Sequence, residues 1–505
     1  MITVLKSGKT IIVVTGIILL TIFFTFWLLG RDGGLKTSEQ MVQTITIYDR
    51  AKLGELLQNK QFAELNSVLD RYQRFFENDH TNEFRVYDAF LAFRTTSPPY
   101  KKLIQLWIES SPDQYQPYLC LAEYYYAKAW EERGTKFAGD TSKEEFQSMH
   151  FYMEKAHENL LIALDINPQL MIAYNMLLGM SNATGDTETE NEIIAKTTKM
   201  FPTSFLIYFT AISAKEPKWG GSYRDMGAIA KQAQKHANTN PMLTTLPGFI
   251  DRYKVIPLFS QKKYDQVLEL YNKAISYGEY YLFYYDRACL YYYQLEDRDR
   301  ALEDINKSIE LRPLIADNHL LRSKIYVQNG DYEASLADVE TIKILKPGYS
   351  YLVKMLEWAS KTAVYDGYNM IEKDPDRAIE LFNISLKYNS ANYDSYYFRG
   401  VAYSHQKEDE LALTDFKQAL KINPNHFYSY ESICDILAKV GKWKEILGYW
   451  NTFILLEPEN DHAYFERSKV YSQLNDMVKA ADDMKRACDL GNAKACQQIP
   501  SFPST

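Results

Sequence analysis

Two strings set 34 residues apart constrain this chain more than anything else in it: ALEDINKSIELRP (Ala301–Pro313) and SLADVETIKILKP (Ser335–Pro347). A fixed period of roughly 20–50 residues marks stacked units rather than one globular core. Each unit is numbered here from its first residue: Leu282, Ala316, Tyr393, Phe427 or Asp461. The eighth place is then small (Cys289, Ser323, Gly400, Cys434, Ser468) and the eleventh large (Tyr292, Tyr326, Tyr403, Leu437, Tyr471). The twentieth is mostly small (Ala301, Ser335, Ala412, Ile446, Ala480), and the thirty-second is Pro313, Pro347, Pro424 or Pro458. A weaker unit starts at Gly248, and one from Ser350, lengthened by nine residues, fills the step before Tyr393.

These places predict two antiparallel helices per unit. Small residues where the helices cross let them approach closely, and large ones fill the groove beside the crossing. Proline cannot continue a helix, so it punctuates each unit. One hairpin cannot bury its apolar face alone, so the units stack. The pattern over Gly248–Ala493 resembles the tetratricopeptide-repeat family. The resemblance implies an all-α fold, a right-handed α-solenoid of helix-turn-helix repeats, acting as a scaffold for a protein or peptide partner. At 505 residues the chain is long for a single core, a limit that a solenoid does not meet.

The formal net charge is −8 and no long run of Lys or Arg occurs, so the electrostatic footprint of nucleic-acid binding is missing. The 40 tyrosines fill large places of the repeat, and a tyrosine-lined binding surface overlaps that role.

Ahead of the repeats, a nine-residue leader precedes Thr10–Gly30 (TIIVVTGIILLTIFFTFWLLG), which carries no charge. At about 1.5 Å per residue it is long enough to cross a bilayer core. Trp27 suits an interface anchor. No small-x-small cleavage site follows, so the expectation is an uncleaved signal anchor; the alternative is a cleaved signal peptide and a secreted chain. Flanking charges are nearly balanced. The short leader and the large domain behind it favour the N-terminus in the cytoplasm. The chain is then a single-pass protein of a bacterial inner membrane with its soluble part periplasmic or extracellular.

The polar stretch 31–44 reads as a tether, and residues 45–240 as a second helical domain before the array at 248–492. Expected helices there include a hairpin over Ile45–Phe76, then Val86–Phe93, Leu103–Glu109 and Pro117–Arg133. Ser142 with Glu145 is a capping-box signature. Met171–Ser204 is one more degenerate hairpin. Asp366–Gly367 and Asp374–Pro375 read as loop signals interrupting the array. The strings YDAFLAF (Tyr87–Phe93), AWEERGTKFAGDT (Ala129–Thr141), SMH (Ser148–His150) and WGGSY (Trp219–Tyr223) together resemble a bacterial domain family of unknown function, numbered four thousand and thirty-four, over Gln61–Gln234. That resemblance implies no activity. Residues 493–505 read as a capping helix and tail.

The inner face of the array is expected from places two, five, nine, twelve and thirteen of each first helix. The candidate groove residues are Phe283, Asp286, Tyr293, Asp394, Tyr397, His405, Tyr428, Glu431, Lys439, His462, Phe465 and Lys469. Mixed aromatic, apolar and charged groups suit an extended peptide or a partner helix. Arg322, Arg399 and Arg467 share the seventh place, with Arg287 one place early, and Asp304, Asp338, Asp415 and Asp483 share the twenty-third. Units from Phe427 and Ser350 lack both partners, which predicts a bridge between the two helices of a unit in preference to an anion clamp.

Trp130, Arg133, Asp140, Thr141 and Trp219 are pocket candidates, set against a structural role in locking a loop onto its helix. On this alternative, the 61–234 domain is a small-ligand-binding or enzymatic module and the repeats a docking arm. No GxxxxGK[ST], GxSxG or HExxH occurs, so no catalytic residue is assigned and the chain reads as a non-enzyme without cofactor. His150, Glu154 and His157 share one helical face, but polar surface explains them better than a metal. Cys289, Cys434 and Cys120 read as packing residues. Cys488 and Cys496 resemble the cysteine pairs of secreted short helical repeats; they are either bridged, which needs an oxidising compartment, or two reduced thiols.

Overall fold

The computed structural model describes residues 45–134, 140–184 and 187–498. The expected membrane segment, the tether and the tail from Ile499 lie outside the described residues. The described residues fall in one compact unit. All regular structure among the described residues is helical. No helix there is long and apolar enough to cross a membrane.

The array is a run of helix pairs: Leu246–Ser260 with Tyr264–Ser276, Tyr281–Tyr293 with Arg298–Leu311, Ala316–Asn329 with Tyr332–Leu345, and Ser350–Tyr368 with Pro375–Tyr388. Tyr393–His405 with Asp409–Ile422, Phe427–Lys439 with Trp443–Leu456, and Asp461–Gln473 with Met477–Asp489 follow, closed by Ala493–Gln498. Each pair packs on itself and on its sequence neighbour, and from Tyr281 to His405 successive first helices touch. The predicted crossing is built as the spacing implied. Ser323, Ser335, Ala301, Ala412 and Ala480 are fully buried. At Gly400 an added Cβ would lie 2.7 Å from the Phe416 ring.

The turn inside each pair repeats as well. Its fifteenth-place residue has positive φ in every 34-residue unit: Lys262, Glu296, Gly330, Lys407, Gly441 and Asn475. The next N–H then bonds back five residues, as in Asp331 N to Tyr326 O (2.8 Å) and Glu408 N to Tyr403 O (2.9 Å), except after Glu296, where Asp297 N reaches back six to Tyr291 O (2.9 Å). This closes the helix end left without intrahelical partners. Lys60 has the same conformation (φ 57°), and Gln61 N bonds Leu56 O (2.9 Å). The N-terminal pair Ile47–Gln58 and Phe62–Asn78 therefore turns like a repeat.

That pair doubles back on the array, with Ile47–Gln58 against Tyr332–Leu345. Between them run Glu83–Leu91, Pro98–Ser110, Tyr115–Arg133, Lys143–Ile166, Met171–Thr184, Thr187–Met200, Phe205–Ala214 and Tyr223–Gln234. Pro98 opens its helix at the first turn, where its missing N–H costs nothing. The capping box forms, with Ser142 N to Glu145 (2.7 Å) and Glu145 N to Ser142 (3.1 Å).

One loop signal was misread. Asp366–Gly367 lies inside helix Ser350–Tyr368, not in a turn. Gly367 is buried and a Cβ there would sit 2.8 Å from the Phe382 ring. The residue is small for close packing, the same reason as at Gly400.

Candidate functional site

Arginine at the seventh place grips the second helix of its own unit with both arms. Arg322 donates to the two Asp338 oxygens at 2.9 and 2.7 Å, Arg399 to Asp415 at 2.7 and 2.7 Å, and Arg467 to Asp483 at 2.7 and 2.8 Å. Arg287 does the same with Asp304 at 2.7 and 2.7 Å. The carboxylates are buried. These arginines join the two helices of a unit and are not open to an anionic ligand as a clamp. A further contact was missed in the sequence. The remaining Nη1 of each reaches back to an asparagine of the preceding unit: Asn272, Asn306, Asn383 and Asn451. One side chain thus staples three helices. The signal was available, since these asparagines share the twenty-fifth place once the nine-residue insertion is allowed for.

The predicted groove residues divide. Phe283 is fully buried against Phe249 and Tyr280 (4.8 and 5.8 Å between rings), and Phe465 packs with Met484 and Ala495. Neither lines a groove: the upstream pair covers the first and the capping helix covers the second. Asp286 is engaged by Arg252. Tyr293 is 52% exposed and accepts a hydrogen bond from Lys324 (3.2 Å); His405 is exposed.

The others gather on one wall. Tyr397 stands 4.8 Å from the His426 ring and 6.4 Å from Tyr428, and His426 lies 6.0 Å from Tyr428. Tyr428 is 58% exposed. Around them lie the carboxylates of Asp394, Glu431 and Asp435, which form no ion pair among the described residues. Burial pushes all three above the usual carboxylate range. The Asp435 and Glu466 charges add to the effect on Glu431. Lys439 is held by Asp409 (3.0 Å) and Lys469 by Glu466 (2.5 Å), while His462 is exposed. Asp435 stands at place nine of its unit, where the inner face is expected; His426 precedes its helix and escapes a rule based on helical places.

Upstream, Trp130 and Trp219 line one hollow of about 210 Å³. Arg133, Asp140 and Thr141 are not among its walls. Arg133 lies over the Trp130 ring (5.7 Å) and donates to Gly134 O (3.3 Å), while Asp140 is exposed. His150, Glu154 and His157 border another hollow, floored by Met153, Leu177, Met180 and Ile193. No cluster able to hold a metal occurs among the described residues. Cys488 and Cys496 are joined by a disulfide across the Gly491 corner, Cα–Cα 4.7 Å.

Residues 285–350 and 393–426 match family models described as tetratricopeptide repeat. The chain carries tetratricopeptide repeats. Ahead of the tetratricopeptide array, residues 49–198 match the domain of unknown function DUF4034. The chain is similar to a DnaJ homolog subfamily C member 7 homolog of Schizosaccharomyces pombe, 21% identical over 45% of this chain and 53% of that protein. It is also similar to the human tetratricopeptide repeat protein 6, 30% identical over 22% of each chain. The chain spans between about a fifth and about half the length of the curated relatives it matches. Among solved structures it resembles the C-terminal part of a TPR repeat-containing protein from Cytophaga hutchinsonii (TM-score 0.31, 21% identity, covering 49% of this chain and 99% of that one).

Proposed function

We propose that this chain is a membrane-anchored tetratricopeptide-repeat scaffold that holds a protein or peptide partner against the first helices of its C-terminal repeats. The observation that carries it is the aromatic patch of exposed Tyr428 with half-buried Tyr397 and His426, built from neighbouring repeats and bordered by Asp394, Glu431 and Asp435. Aromatic rings with an apolar body and a polar tip are favoured where a surface is covered on binding. Unpaired carboxylates beside them complement a segment bearing Lys or Arg, whose cations also stack on tyrosine faces.

Thr10–Gly30 supports the membrane anchor, with the repeats on the outer side of a bacterial inner membrane. The Cys488–Cys496 disulfide is consistent with an oxidising compartment.

Peptide display against the full chain in nanodiscs tests the binding reading. Basic, aromatic sequences should be enriched; Tyr397→Ala with Tyr428→Ala should abolish the enrichment, and Tyr428→Ala alone, at the exposed position, should weaken it with the thermal melt unchanged. No enrichment, or enrichment indifferent to both changes, overturns it. Alkylation of a cysteine introduced at Lys417 by an impermeant reagent in intact spheroplasts tests the topology; a protected thiol overturns the outer placement.

A further inference from the structure

The WGGSY turn and the hollow behind it play no part in the binding wall described above. Two hollows of about 160 and 210 Å³ adjoin in the upstream domain and share Tyr126, Gly179, Phe209 and Thr210. The first extends to Tyr87, Arg94 and Asn175. The second ends on Trp130, Ser213 and Trp219. Each of these residues is half-buried, so the rings offer part of their surface to the cleft.

The backbone is arranged around that surface. Gly220 has φ 91°, and an added Cβ at Gly221 would lie 2.3 Å from Lys215 O. Neither place accepts a side chain, and the tight turn they allow fixes Trp219 at the rim. At Gly179 a Cβ would lie 3.2 Å from the Tyr126 hydroxyl, so the bare helix lets the tyrosine in. Tyr126 meets Trp130 edge to face at 6.2 Å. Lys218 lies over the Trp219 ring at 5.4 Å.

The walls carry no uncompensated charge. Arg94 is held by both oxygens of Glu123, at 2.6 and 3.1 Å, and Lys218 by Glu216 at 2.7 Å. Neutral polar groups are present instead. Thr210 donates to Asn175 Oδ1 (2.6 Å), and Asn175 lines the first hollow. Ser213 donates to Phe209 O and pairs with the Tyr253 hydroxyl, both at 3.0 Å.

We infer that this cleft binds a neutral glycan, one pyranose ring in each hollow. The C–H face of a pyranose stacks on the electron-rich face of an indole or phenol. Its ring hydroxyls match the amide of Asn175 and the acceptor lone pairs of the Thr210 hydroxyl. An anionic sugar would be desolvated without a partner here, since Arg94 is already neutralised. The hollows are smaller than the roughly 300–1,000 Å³ of drug-sized ligand sites, and suit single rings rather than a helix.

The full chain in nanodiscs, free of glycosidic detergent, is titrated with chitobiose, cellobiose and maltose, and with digalacturonic acid as the charged control. Saturation-transfer NMR and calorimetry read the binding. At least one neutral disaccharide should bind saturably, with affinity at least tenfold weaker in Trp219→Ala and in Asn175→Ala. Thr210→Val, which keeps the shape of the side chain, should weaken it with an unchanged melt, and Tyr428→Ala should leave it intact. Binding by none of the three, binding by the charged sugar alone, or affinity indifferent to Trp219→Ala and Thr210→Val overturns the inference.

Discussion

Asp88 and Arg312 are 224 residues apart in the chain and 2.5 Å apart in the fold, with side chains 0% and 2% exposed. Arg312 also lies over the Phe84 ring at 4.2 Å. Arg50 sits in the same interior and donates to Leu91 O (3.0 Å) and Leu314 O (3.5 Å). Burial pulls the Arg50 guanidinium down to about 10, while the Asp88 charge opposes that shift. Asp88 is therefore the counter-charge that lets the upstream domain close on the array. Asp88→Ala leaves two arginines buried without it and should cost about 3–5 kcal/mol, read by urea denaturation of the full chain. Asp88→Leu combined with Arg312→Met should recover the part of that loss due to Arg312, because apolar groups of similar volume need no counter-charge, while Arg50 still lacks one. A loss under about 1 kcal/mol for Asp88→Ala would show the pair to be solvated.

The Arg–Asp staples make a graded series. In Arg399 the Nε and Nη2 atoms hold Asp415, and Nη1 reaches Asn383. The arginine side chain is 18% exposed and the aspartate 6%, so screening by solvent is partial. Asp415→Ala should cost about 2 kcal/mol and Asn383→Ala less than about 1 kcal/mol. The neighbouring unit shows the apolar solution, with Ile433 buried and Tyr449 beside it. Arg399→Ile with Asp415→Tyr should therefore melt above Asp415→Ala, and a double-mutant cycle gives the coupling.

What the sequence disclosed was what repeats in it. The crossing places, the proline stops and the Arg–Asp pairs recur in phase, so each observation supports the next. Phe283 and Phe465 occupy inner-face places by number, but they sit where other structure covers the repeats, and a rule for the middle of a stack fails at its margins. Gly367 was misread because glycine serves both turns and close packing, and only the Phe382 ring decides between them. The Asp88–Arg312 contact has no periodic trace and no local cue, so nothing short of the fold reveals it. Of the pocket candidates the two tryptophans meet at one hollow, while Arg133, Asp140 and Thr141 do not.

The shared turn offers a test of backbone strain with opposite signs. Gly330 and Lys407 occupy the same place with φ 79° and 65°. A non-glycine residue in the left-handed region costs about 1–2 kcal/mol, whereas glycine adds about 0.5–1 kcal/mol of unfolded-state entropy. Gly330→Ala should lower the melting temperature, losing about 1 kcal/mol. Lys407→Gly should hold or raise it, by up to about 1 kcal/mol. The same sign for both changes would exclude the turn conformation as their cause.

Glu83 supplies a pH dependence of known direction. Its carboxylate is fully buried and caps a helix that is not its own: it accepts from Ser204 Oγ (2.6 Å), Phe205 N (2.8 Å), Leu206 N (2.9 Å) and Asn240 Nδ2 (3.3 Å). Burial pushes the carboxyl up to about 7, and these four donors pull the other way. Because the folded value lies above the unfolded one, the native state binds a proton that the unfolded chain has already released. The contribution to stability is complete below about pH 4.5 and is lost as pH rises to about 7. Glu83→Gln removes this titration and also turns an amide N–H toward a backbone donor, which should cost about 1–3 kcal/mol at neutral pH. The stability difference between the parent and Glu83→Gln, measured by denaturant titration at successive pH values, should therefore widen as pH falls from 7 toward 5. A difference that stays flat across that window would place the Glu83 carboxylate in its ordinary range, held there by the helix N-terminus it caps.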